Sequence, residues 1–255
     1  MNKLPASTGI DWLKQGLALF RKQPGVLTLL FFTNMLASLL IGGVIPGIGP
    51  LLAVILLPSF TMAIMMASHM ITNGQQVTPA VLATGFRMPD VKALCKLGLV
   101  YLGLFIVVIL LLRVSVDDAF LVQASKPIDP KAPPVIKAGD ALAVLAISLL
   151  HGITLTALSF SAPLTFWKKM PLFKAVFFSV VGIWGALRPV ITMLLAWFGM
   201  LMAAAVVVSL VSMGNLNLAR GLMGALVMLF VLVLQCAMYA SFRQIFGDPD
   251  APAAE

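Results

Sequence analysis

Residues able to do chemistry are few in this chain, and their placement excludes more than it proposes. There are two histidines, His69 and His151, and two cysteines, Cys95 and Cys236, each pair split between different apolar segments. Such side chains with no acidic cluster beside them make a poor metal site, so no metal or other cofactor is expected. The spacings of a phosphate-binding glycine loop, a Gly-x-Ser-x-Gly nucleophile elbow and a His-Glu-x-x-His zinc helix are all missing. Arg188-Pro189 matches a fragment of lipid-phosphatase motifs, but the serine, histidine and aspartate partners of that chemistry do not accompany it. No catalytic residue is assigned, and the expectation is a protein that is not an enzyme. Both cysteines fall toward the cytoplasmic ends of their segments, where a disulfide is not expected.

Coupled transport usually leaves an ionisable residue deep in the membrane. All nine Asp and Glu residues here lie outside the apolar segments, which argues against proton-driven transport through a membrane carboxylate. What remains is uncharged and polar: Asn34; His151 followed by Thr154, Thr156, Ser159 and Ser161; and Gln235 with Tyr239. Interhelical hydrogen bonds, worth about 0.6 kcal/mol each, account for side chains of this kind. The sharper alternative is that Asn34, His151, Thr154, Gln235 and Tyr239 line a polar cavity for a small amphiphile.

The elements that must position these residues are membrane spans. The chain is 61% hydrophobic and 10% charged, with a mean hydropathy of +1.06, far from the balance of a soluble domain. A spanning helix needs about 20 apolar residues, and six such runs are read at 25–44, 49–71, 91–112, 141–167, 190–213 and 219–245. They are continuous rather than alternating, which excludes a closed barrel. The expected fold class is an all-α membrane protein, a single polytopic domain over 1–255 with an interfacial helix at 8–23, a periplasmic loop at 114–140 and a disordered tail at 246–255. The first apolar run starts too late, is too long and lacks the small-x-small site of a removable signal peptide.

Ahead of the first span, Ile10, Leu13, Leu17 and Phe20 recur at helical spacing, with Asp11, Lys14, Gln15, Arg21 and Lys22 on the other side. Pro24 stops the helix. Trp12 sits between the two faces, where an amphipathic ring suits the headgroup layer. Orientation follows from the basic residues. Lys3, Lys14, Arg21, Lys22, Arg87, Lys92, Lys96, Lys168, Lys169, Lys174, Arg188 and Arg243 fall on one side, and only Arg113, Lys126, Lys131, Lys137 and Arg220 on the other. The richer side is cytoplasmic by the positive-inside rule, as are both termini. Trp12, Arg21, Lys22, Arg87, Lys168, Lys169 and Arg188 are the expected interfacial anchors. The net charge of +8 reads as affinity for anionic lipid at the cytoplasmic face rather than for nucleic acid.

A repeat is visible. Phe20-Arg21-Lys22-Gln23-Pro24, Phe86-Arg87-Met88-Pro89 and Leu187-Arg188-Pro189 each precede an odd-numbered span, and an apolar-faced stretch precedes each in turn. Three copies of interfacial helix, Arg-Pro boundary and helical hairpin would form a pseudo-threefold bundle; chance likeness among Leu-rich segments is the alternative. Ile45 to Pro50 is an uncharged turn that makes spans one and two neighbours. Ser38 with Gly42, Gly199 with Ala203 and Gly221 with Ala225 are candidates for close helix approach. Pro58 and Pro163 should kink spans two and four. In the loop, Ser115 could cap a short helix opening on Asp117 and Asp118, after which Pro127, Pro130, Pro133 and Pro134 extend the chain. A lid, a docking loop and a simple tether are all compatible with it.

Trp12 to Gly16 with Phe20 to Pro24, Ile45-Pro46 to Leu52, Leu57-Pro58, Phe86-Arg87, Ala162-Pro163 with Phe166-Trp167, and Lys174 to Ser179 resemble a family of uncharacterised bacterial inner-membrane proteins. The likeness covers most of the chain and implies a multi-pass inner-membrane protein without an established activity. That family's pattern often carries a histidine-bearing turn after the tryptophan. This chain has Lys168-Lys169-Met170-Pro171 there, so no role is carried over to that turn. Two functions fit: a scaffold or accessory protein organising lipid or a membrane-protein partner, and a permease or binding protein for a lipid-like substrate.

Overall fold

The three-dimensional structure is a computed structural model and describes residues 4–45, 47–124 and 137–249. Among the described residues every regular element is a helix: α1 (Thr8–Lys22), α2 (Pro24–Val44), α3 (Gly49–Thr72), a 3-10 helix (Pro79–Phe86), α4 (Asp90–Ser115), α5 (Asp118–Ala124), α6 (Ala138–Leu158), α7 (Ser161–Trp167), α8 (Leu172–Gly185), α9 (Leu187–Val211) and α10 (Leu216–Phe246). Six stretches are long and apolar enough to cross a bilayer: α2, α3, α4, α6 together with α7, α9, and α10.

Local chemistry sets the boundaries. Pro24 opens α2 at a position where no N–H is needed. Asn215 caps α10, its side-chain oxygen accepting from the Asn217 and Leu218 amides at 3.2 and 3.1 Å. α10 has 31 residues, roughly 46 Å at helical rise, enough to cross the hydrocarbon and still offer several turns to α1. Pro163 cannot donate to the Ser159 carbonyl. The Ser159 and Ser161 hydroxyls bond back to the carbonyls of Thr156 and Leu158, and the run expected as one helix over 141–167 is divided into α6 and α7. Pro58 leaves α3 unbroken.

The segment after α4 departs from expectation at Ser115. That residue ends α4, and the Asp117 carbonyl, accepting from Phe120 and Leu121, starts α5 instead. Lys137 pairs with Asp117 at the same place; that hydrogen bond and the Asp117 charge raise its pKa. The four loop prolines lie outside the described residues, as do Lys126 and Lys131. α10 continues to Phe246, so the expected tail begins later than 246, and 250–255 fall outside the described residues.

The helices form three consecutive units, each a short helix followed by two spans: α1–α2–α3, then the 3-10 helix with α4 and α6–α7, then α8–α9–α10. Each short helix packs most extensively on the second span of the unit before it: α1 on α10, the 3-10 helix on α3, α8 on α7 and α6. The three units thereby close into a ring. Two of these dockings are backbone-close, because a Cβ at Gly16 would stand 2.6 Å from the Ala237 nitrogen and one at Gly85 2.4 Å from the Ser59 carbonyl oxygen. The small-residue pairs expected to do this do not: a Cβ at Gly42, Gly199 or Gly221 would meet nothing within 4 Å. Packing is concentrated at the opposite end of the spans, in Leu27 to Asn34 of α2, the half of α3 after Pro58, Leu94 to Gly98 of α4 and Leu232 to Phe242 of α10. The other halves present leucine, isoleucine and valine outward to lipid.

Trp12 is corrected by the same packing. Rather than sitting in the headgroup layer, it is 0% exposed, enclosed with Phe160, Leu164 and Phe242, and its indole N–H donates to Gln244 Oε1 at 2.5 Å. The face of α1 that docks on α9 and α10 carries Gly9, Trp12, Leu13, Gly16 and Leu19, so the expected apolar stripe is only partly buried, with Ile10 and Leu17 left exposed. Aromatic residues of α8 are the exposed ones instead, Phe173 at 83% and Trp184 at 75%.

Candidate functional site

The second span of each unit reaches the end of the bundle where the cations gather, and each contributes one ring to its axis. His69 of α3, Trp167 of α7 and Tyr239 of α10 form a triangle with centroid separations of 5.9, 6.1 and 6.2 Å. Phe242 leans on Trp167 at 5.4 Å and continues the stack toward Phe160 and Phe246. Edge and tilted contacts of this kind add to the burial that already holds the rings.

A chain of hydrogen bonds runs through the triangle. The Asn73 amide nitrogen lies 3.2 Å from His69 Nε2, and His69 Nδ1 lies 2.9 Å from the Tyr239 hydroxyl oxygen. Tyr239 also borders a cavity of about 190 Å³ lined by Gln15, Leu19 and Lys22 of α1, Thr72 of α3 and Arg243 of α10. Gln23, from the Arg-Lys-Gln-Pro boundary, fastens this end: its side chain donates to the Gln75 carbonyl at 2.9 Å and accepts from the Val77 amide at 3.1 Å.

Of the polar set expected to share one cavity, the structure brings together two members. Asn34 and Gln235 face a second cavity of about 240 Å³ between α2, α3 and α10, with Ser38 and Thr61. Asn34 donates to the Phe60 carbonyl at 3.1 Å, while Gln235 Oε1 is buried with no hydrogen-bond partner among the described residues. Tyr239, a turn beyond Gln235, turns to His69 instead. His151 and Thr154 are elsewhere. They are half-buried on α6, which packs on α4 and α8, and Thr154 bonds back to the Leu150 carbonyl. Polarity at matched depth does not make residues neighbours: α10 packs on α2 and α3, whereas α6 packs on α4 and α8.

The anchors Arg21, Lys22, Arg87, Lys169 and Arg188 are exposed and Lys168 is half-buried, all at helix ends on the same side of the bundle. Lys169 pairs with Asp90 at 2.7 Å and lies over the Phe166 ring, tying the start of α4 to the end of α7. Sequence reasoning passed over His69, Asn73, Trp167, Thr72 and Arg243 as site residues. The usable signal was the repeat, since His69, Trp167 and Tyr239 all lie in the C-terminal parts of corresponding spans.

Comparison with known proteins adds one informative likeness. A probable inner membrane protein of Burkholderia thailandensis is 30% identical over 98% of this chain and 96% of its own length. No family model matches the sequence, and no solved structure matches it.

Proposed function

Since the chain belongs to the family of that Burkholderia thailandensis protein and is a multi-pass helical protein of the inner membrane, we propose that it works there as a non-enzymatic scaffold. Its task in this reading is to hold a membrane-protein partner and anionic lipid together. The supporting observation is the filled axis. Rings from all three units, with Phe242 beside them, occupy the centre at the cationic end, where a transport path would have to pass. Outside that plug, the spans offer a broad apolar surface to neighbours.

A second reading, a permease or binding protein for an amphipathic substrate, draws on the Asn34–Gln235 cavity and the unpaired Gln235 oxygen. Reconstitution separates the two. The scaffold reading expects liposomes containing the protein to take up a fluorescent lysolipid no faster than protein-free liposomes. It also expects purification from native membranes in mild detergent to retain a stoichiometric membrane protein. Saturable uptake that Asn34→Leu or Gln235→Leu abolishes would overturn it.

The proposal places both termini and the cationic end in the cytoplasm, following the excess of Lys and Arg. With the native cysteines replaced, Lys168→Cys should be shielded from an impermeant thiol reagent in intact cells and Lys137→Cys labelled. Labelling of both from outside contradicts the orientation.

A further inference from the structure

We propose that the cavity between α1, α3 and α10 is a binding site for a phosphate-bearing anion. The inference deepens the scaffold reading by naming a ligand class, and it can fail without that reading failing. Lys22 and Arg243 flank the cavity, and among the described residues neither has a carboxylate within ion-pair distance. Neutral groups complete it: the Gln15 amide, the Thr72 hydroxyl and the Tyr239 hydroxyl.

Tyr239 is what distinguishes this place from a merely basic surface. It is 1% exposed, hydrogen-bonded to His69, and within side-chain hydrogen-bonding reach of Thr72 and Arg243. A hydroxyl fixed in this way loses little freedom when an oxyanion arrives. Thr72 donates its own proton to the Ser68 carbonyl at 2.8 Å and so serves as a polar wall. Among the described residues the acidic influence on Tyr239 is Asp248, and Arg243 acts against it.

Depth selects the ligand. Thr72 is the last residue of α3, Lys22 the last of α1 just before α2, and Arg243 lies within a turn of the end of α10. These are the levels at which hydrocarbon gives way to headgroups. A cavity of about 190 Å³ admits a phosphate with a small polar ester and no folded macromolecule. Basic pockets between spans at this level hold lipid headgroups; a soluble phosphate ester carries the same chemistry.

The test uses the purified full chain in a neutral detergent, titrated in one arm with phosphatidylglycerol and in the other with soluble glycerol phosphate, read by native mass spectrometry and melting temperature. Saturable binding of either is expected. Binding should weaken by on the order of tenfold in Lys22→Ala/Arg243→Ala and severalfold in Tyr239→Phe. The charge-matched pair Lys14→Ala/Lys174→Ala should bind as the native protein does. Binding in the lipid arm alone assigns the site to a headgroup, and displacement of lipid by glycerol phosphate assigns it to either source. Equal losses in the two double variants, or no saturable binding in either arm, would overturn the site. Unchanged hydrogen exchange across α1 in the variants shows that the fold is intact.

Discussion

Gly98→Leu yields a protein that no longer stays monodisperse in mild detergent. A Cβ at position 98 would stand 1.9 Å from the Ile55 carbonyl oxygen and 2.6 and 2.7 Å from the Ile55 carbonyl carbon and Cα. All of these are backbone atoms, so no side chain can turn aside. α3 and α4 have to separate, and with them the contact between the first and second units, where Leu94 and Leu97 are fully enclosed. Overpacking at a relaxed site costs about 1–3 kcal/mol, and a clash with rigid backbone sits at or beyond the top of that range. Gly103→Leu, on the same helix, is the control, because a Cβ there meets nothing within 4 Å. Melting temperature and size-exclusion profile report the difference. If Gly98→Leu behaves like Gly103→Leu, the α3–α4 packing is wrong.

Trp12→Ala frees α1 from the bundle. The indole is 0% exposed and its N–H is bonded to Gln244. Truncation removes the largest side chain of the apolar cluster that joins α1 to α7, α8, α9 and α10. Emptying such a site costs about 3–5 kcal/mol, more than one short helix can sustain. Hydrogen exchange over 8–22 should then rise to the rate of an undocked helix while the spans stay protected. Trp12→Phe should restore most of the protection and lack only the hydrogen bond to Gln244. A headgroup anchor would behave differently, with Trp12→Ala leaving exchange in α10 and α1 alike unchanged.

The spans were legible from sequence because bilayer solvation demands long apolar runs. The run read at 25–44 is the helix Pro24–Val44; the others differ from the observed helices at their ends, apart from 141–167, which is divided into α6 and α7. The threefold pattern was legible through Pro24, Pro89 and Pro189, each just ahead of or within the first turn of a span. What did not show was which surface answers which. The amphipathicity of α1 fits a lipid surface as well as a protein groove, and only the docking on α10 decides for Trp12. Gly16 and Gly98 were indistinguishable from Gly42 and Gly199 in a chain with 20 glycines, since close approach depends on the facing helix. His151 looked like a cavity residue for its depth and proved to lie on a helix remote from Asn34 and Gln235. His69 looked idle for want of metal ligands, and the structure pairs it with the Tyr239 hydroxyl across the fold and with the Asn73 amide four residues on.

A single-particle reconstruction of the protein in a lipid nanodisc, held by a rigid binding fragment, tests the account most directly. The account predicts α1 seated between α9 and α10 with Trp12 enclosed, and the rings of His69, Trp167 and Tyr239 closing the axis at the cationic end. An α1 lying detached on the bilayer, with an open aqueous path between α3, α7 and α10, would contradict it.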